Sequence, residues 1–192
     1  MSRTLTLIAT TAITSATLLL GACGSMKPMA APMAMKPFDP AALPAAVQVP
    51  AGHQIVLETV GSGDITYECK AKADRSGHEW VFAGPMAVLK DRSGKAVGSY
   101  FGPPATWKAN DGSAITGQQL AVAPAGAGNI PLQLVRANPA TGMGAMAGIS
   151  HIQRVATVGG VAPMSACDAG RVGQKETVAY QADYIFWAAR KM

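Results

Sequence analysis

The sequence predicts an all-β fold, a single antiparallel β-sandwich or barrel-like domain, and three observations carry the prediction. Apolar residues recur with period two rather than 3.6 from residue 53 onward. Turn-forming clusters separate the alternating runs at short intervals. Gly, Ala and Pro are abundant while charged residues are few, a composition that suits short strands and many turns better than long surface helices.

The alternation is plainest in Asp64-Ile65-Thr66-Tyr67-Glu68-Cys69-Lys70, where Ile65, Tyr67 and Cys69 share one face and the polar residues take the other. Comparable runs lie at 54–59, 79–83, 86–90, 96–101, 114–122, 131–136, 149–157 and 177–187. Asp91-Arg92-Ser93-Gly94 and Asn110-Asp111-Gly112-Ser113 read as turns between them. No repeat of 20–50 residues points to a propeller or solenoid.

Two segments precede this domain. Arg3 is the only charge in residues 1–22, and the apolar run 5–20 is short and rich in Ala and Thr, as in a signal peptide. The run ends in Leu20-Gly21-Ala22-Cys23, which resembles the bacterial lipobox, whose cysteine thiol takes a diacylglyceryl group. The expectation is a lipoprotein of the bacterial cell envelope with acylated Cys23 in membrane lipid; three acyl chains would hold it almost permanently. Gly24 rather than Asp follows the cysteine, which by resemblance to proteobacterial sorting points to the outer membrane, facing the periplasm.

Residues 23–45 read as a disordered tether. Five prolines in 24–45 remove backbone donors and favour extended geometry, and no apolar period is present. Met26, Met29, Met33 and Met35 lie here, and clustered thioethers are soft ligands suited to Cu(I), but no His or Cys accompanies them. Compositional drift in a linker is the simpler account. The folded domain is therefore expected over 46–192.

The net charge of +5 falls to +3 on the domain once Arg3, Lys27, Lys36 and Asp39 are set aside. Acids interrupt the basic residues between Lys70 and Lys108, so no clustered footprint for nucleic acid forms and none is expected as a partner. Apart from Cys23 two cysteines remain, and in an exported chain Cys69 and Cys167 are expected to pair as a disulfide. Two buried thiols or a metal pair are the alternatives; neither cysteine lies in a CxxC and no His stands at ligand spacing.

Chemistry-bearing motifs are sparse. His53, His78 and His151 are scattered, and no HxH, HExxH or GxSxG occurs. Gly142, Gly144 and Gly148 have the wrong spacing for a dinucleotide loop, so no cofactor is implied. On the strand 149–157, His151 and Gln153 project together while Arg154 faces the other way. His151, Asp168 and Asp183 are the candidate catalytic residues, and Gln153 and Arg154 are candidates for ligand contact. Trp107 follows the turn Gly102-Pro103-Pro104-Ala105-Thr106, which would present its ring at a pocket rim as a stacking platform.

Val49-Pro50-Ala51-Gly52-His53, Tyr67-Glu68-Cys69, Trp80-Val81-Phe82, the Gly102 to Trp107 turn and Asp111-Gly112-Ser113 occur in this order along the chain. Ile152-Gln153-Arg154-Val155, Gly159-Gly160-Val161-Ala162-Pro163, Cys167-Asp168 and Ala182-Asp183-Tyr184 follow. Together they resemble the domain-of-unknown-function family numbered 3455 over residues 47–187. The resemblance implies one secreted β-rich domain with a two-cysteine pattern, and no activity. The leading functional expectation is a tethered, non-catalytic module that binds a small molecule, a polymer or an envelope protein. An enzyme using His151, Asp168 or Asp183 in a cleft is the alternative, and convergence of these groups in one pocket is what separates the two.

Overall fold

Strand alternation in this chain closes on itself. The computed structural model describes residues 38–191, in which eight antiparallel strands form a closed barrel with each strand hydrogen-bonded to its neighbours in sequence. The strands are β1 (His53–Ala71), β2 (His78–Lys90), β3 (Ala96–Phe101), β4 (Thr106–Ala109), β5 (Ala114–Ala123), β6 (Leu132–Ala137), β7 (Ile149–Gly159) and β8 (Lys175–Ala189). The ring is completed where β1 pairs with β8, from His53 opposite Ala189 to Glu68 opposite Lys175. Of the two all-β architectures expected, the barrel is the one formed. The expected leader, Cys23 and the four methionines of the expected tether lie outside the described residues.

Two pairs of expected strands are single long strands. Residues 54–59 and 64–70 belong to β1, because Gly61 and Gly63 serve close packing rather than a turn. A methyl group at Gly61 would lie 2.5 Å from the Tyr184 ring, and one at Gly63 would run into the backbone of Met86 and Ala87. Likewise 79–83 and 86–90 are one strand, β2, in which Ala83 is the extra residue where the register with β1 slips between Thr66 and Tyr67. The four-residue β4 is too short to show a period, and the sequence reading missed it.

An eight-stranded barrel is just wide enough to be filled by side chains or to hold one small ligand, and here it does the first at one end. Tyr100 stacks on Trp107 with ring centroids 4.7 Å apart, and Tyr184 tilts against Tyr100 at 5.0 Å. Leu89, Ile152 and Phe186 complete this buried layer. The loop from β6 to β7 folds under it and inserts Met146, which is 1 % exposed. Asp111, in the turn between β4 and β5, anchors that loop by accepting from the Ala145 N–H at 2.7 Å, while the Ser113 hydroxyl accepts from the Met146 N–H at 3.1 Å. The Ser113 hydroxyl foremost, then the N–H groups of Ala145 and Ser113, all donating to it, hold the Asp111 carboxyl below the usual range.

The outside of the barrel is also packed on one side. Phe38, Leu43, Val47 and Val49 cover the outward residues of β6, β7 and β8, among them Leu134, Val155, Ile185 and Trp187. Among the described residues, 38–45, which the sequence reading placed in the tether, are thus packed on the barrel wall. Proline does not prevent this, because Pro40 opens a short 3₁₀ turn (Pro40–Ala42) whose N-cap is the Asp39 side chain, accepting from Ala41 N–H at 2.9 Å. A second turn, Ala45–Val47, seats Val47 fully buried. Cys69 and Cys167 form a disulfide with Cα atoms 5.5 Å apart, tying the end of β1 to the segment before β8.

Candidate functional site

The end of the barrel opposite Met146 is open. Between the loop of residues 102–105 and Pro131 lies a cavity of about 430 Å³, within the range of small-molecule sites. Its two sides differ in chemistry. On the β1 to β3 side are Tyr67, Phe82, Pro85 and Tyr100, with Pro103 and Ala105 at the rim; Phe82 meets Tyr67 edge-on at 6.2 Å. Opposite them, β5, β6 and β7 contribute Gln119, Gln133 and Arg154 as one polar strip. Gln133 stands in register with Arg154 across the β6–β7 pair and donates from Nε2 to Gln119 Oε1 at 2.6 Å.

Arg154 is half-buried and fixed from one edge. Its Nε and Nη2 both donate to the Pro131 carbonyl, at 3.2 and 2.9 Å. Among the described residues no carboxylate lies within ion-pair distance of it, and none lines the cavity. Burial raises the phenols of Tyr67, Tyr100 and Tyr184, and pushes Tyr180 up to about 12; the Arg154 charge pulls each of the four the other way. The guanidinium charge therefore acts on the phenols inside the barrel. Tyr67 is held by donating its hydroxyl to the Gly160 carbonyl at 2.7 Å.

Of the residues nominated from sequence, only Arg154 lines this cavity. The three catalytic candidates are dispersed. His151 is on the outer face, edge-on to His53 at 4.7 Å with its Nδ1 3.1 Å from the Ser150 hydroxyl. Burial foremost, then the charges of His53 and Arg136, hold its imidazole below the ordinary value. Asp168 caps the 3₁₀ turn Ala169–Arg171, accepting from Gly170 N–H at 2.9 Å. Asp183 accepts from Arg92 Nη1 at 2.7 Å on the outer face, and the same guanidinium donates from Nη2 to Glu58 at 2.7 Å.

The two remaining ligand candidates have structural roles. Gln153 does project with His151 and away from Arg154, but residues 38–49 cover it completely. It donates from Nε2 to the Val47 carbonyl at 2.6 Å and accepts from Trp187 Nε1 at 2.8 Å. Trp107 is no rim platform: it is 1 % exposed, on β4, in the packed layer beneath the cavity. An inward-facing Trp on a closed barrel is drawn to the core by its area. The sequence reading passed over Gln119, Gln133 and the aromatic side of the cavity, although Gln133 beside Val135 was a detectable signal, a polar residue on the inward face of a strand.

A protein-family model described as "Protein of unknown function (DUF3455)" matches residues 50–188. No curated protein and no solved structure matches the chain.

Proposed function

Since the chain belongs to the DUF3455 family, whose description carries no activity, we propose from its own residues that it is a non-catalytic binding module of the bacterial envelope, taking one small ligand with an apolar body into the barrel mouth. The carrying observation is the cavity of about 430 Å³, closed below by the Tyr100–Trp107 stack and open at one end. One side offers aromatic and proline surface for an apolar body, and the other offers amides and a guanidinium that fix its orientation. The dispersal of His151, Asp168 and Asp183 supports binding over catalysis in a cleft built from these groups. Cys23 acylation would hold the domain at the outer membrane, facing the periplasm, with residues 24–37 as the spacer.

Equilibrium dialysis of the full chain against naphthalene-2-carboxamide tests the cavity. Saturable binding is expected, reduced at least about tenfold in Ala105→Trp, which fills the rim; a tenfold loss corresponds to about 1.4 kcal/mol. Equal binding by both proteins, or no binding of either this amide or the corresponding carboxylate, would refute the reading. For the anchor, mass spectrometry of the mature N-terminus is expected to find Cys23 acylated, and Cys23→Ala to release the protein from membranes. An unmodified Cys23 would end the lipoprotein proposal.

A further inference from the structure

Arginine carries five N–H donors, four of which form two forks, one along its side and one at its end. In Arg154 the side fork is fully used, since Nε and Nη2 converge on the single Pro131 carbonyl. That contact fixes the plane of the guanidinium and leaves the end fork, formed by Nη1 and the second Nη2 proton, without a protein acceptor among the described residues. Beside it, the bond from Gln133 to Gln119 uses the Gln119 carbonyl and leaves the Gln119 amide protons free to donate. The cavity lining contains no acid to neutralise the charge and no second cation.

From this arrangement we infer that the ligand is an organic acid, a single carboxylate on an apolar or aromatic body, with the carboxylate seated on the end fork of Arg154 beside the Gln119 amide. The inference rests on the cavity being a ligand site and adds what the ligand must carry. A planar monoanion matches one planar fork bidentately. A phosphate monoester brings more charge and a third oxygen than one guanidinium can meet, so it is the poorer match. The body then lies against Tyr67, Phe82 and Tyr100, whose rings face the polar strip.

The test compares naphthalene-2-carboxylate, naphthalene-2-carboxamide and 2-naphthyl phosphate on the full chain at neutral pH, by equilibrium dialysis. The native protein is expected to prefer the carboxylate to the amide by about 10- to 100-fold, the range for a hydrogen-bonded charge partner. Added salt should weaken that preference without changing amide binding. In Arg154→Gln the preference should collapse toward unity while amide affinity stays within about threefold; Arg154→Lys, with charge but no fork, should fall between. Equal native binding of carboxylate and amide would overturn the inference and leave the cavity reading standing, as would a preference that survives in Arg154→Gln. Tighter binding of the phosphate would replace the carboxylate assignment. Failure of all three probes to bind would refute the cavity reading itself. The native comparison and its salt dependence decide the matter even if both variants fold poorly.

Discussion

Replacing Gln153 by Ala should detach residues 38–49, the strap over β6 to β8, because this one amide is bonded to both layers. Its Nε2 holds the Val47 carbonyl of the strap, and its Oε1 holds the indole N–H of Trp187 on β8. All three residues are buried, with Gln153 and Val47 completely inaccessible. Truncation leaves one acceptor and one donor without partners, at about 1–3 kcal/mol each, and opens a small cavity besides. The sum is about 3–5 kcal/mol, a large share of the ~5–15 kcal/mol that separates folded from unfolded domains. The loss has a ceiling, since undocking residues 38–49 returns both groups to water in exchange for the buried Val47 and Leu43 contacts.

Gln153→Leu keeps the volume and removes only the bonds, so it should still lose about 2–4 kcal/mol. Combined with Trp187→Phe in a double-mutant cycle, it should show a coupling of about 1 kcal/mol or more, because the indole donor that Gln153→Leu orphans is already absent from Trp187→Phe. Urea unfolding followed by circular dichroism measures each value, and limited proteolysis within residues 38–49 reports the undocking. A Gln153→Leu protein within about 0.5 kcal/mol of native, a difference typical of featureless surface sites, and with unchanged cleavage would refute the latch argument.

Removing the disulfide in a Cys69→Ala/Cys167→Ala protein frees a loop with a sequence separation of 98. The denaturation midpoint should drop by an amount equivalent to about 2–5 kcal/mol, and an unchanged midpoint would contradict the stapling role. His151 should make the fold acid-sensitive: its folded pKa is depressed, so as pH falls through the unfolded value near ~6.5 the unfolded chain takes the proton first and stability declines. The decline from this group ends once the folded imidazole is also protonated. His151→Gln, which leaves His53 and Arg136 in place, should therefore lose less stability between about pH 7 and pH 5 than native, and identical slopes in urea titrations would sink the assignment.

Much of the fold was legible because strand periodicity is a local property of the chain. Ile65, Tyr67 and Cys69 alternate as expected and all three are buried. The consecutive Tyr184, Ile185, Phe186 and Trp187 carry a further message: a strand apolar on both faces needs cover on both sides. The barrel interior takes Tyr184 and Phe186, and the strap takes Ile185 and Trp187. Turn readings were weaker, since glycine marks close packing as readily as a reversal, and Gly61 and Gly63 are of the first kind. The site was mostly illegible. Gln119, Gln133 and Arg154 meet only through the register of the β5–β6 and β6–β7 pairs, and no spacing in sequence encodes that register. His151, Asp168 and Asp183 drew notice as titratable groups, yet each is occupied locally, by a neighbouring histidine, a turn and an arginine.

In a ring of strands that follow one another along the chain, one join alone unites residues from opposite ends of the sequence, and it is the natural seam at which such a barrel would unzip. Here the β1–β8 seam is secured at both extremities. The Cys69–Cys167 bond fastens it near the mouth, and at the far end the strap lies over Ile55, Ile185 and Trp187. Local opening is thereby displaced to the weakest remaining staves, where β4 offers four residues of pairing between β3 and β5. Those staves flank residues 102–105 at the cavity rim, so opening there would widen the mouth of the cavity while the closure that keeps the barrel a barrel stays shut.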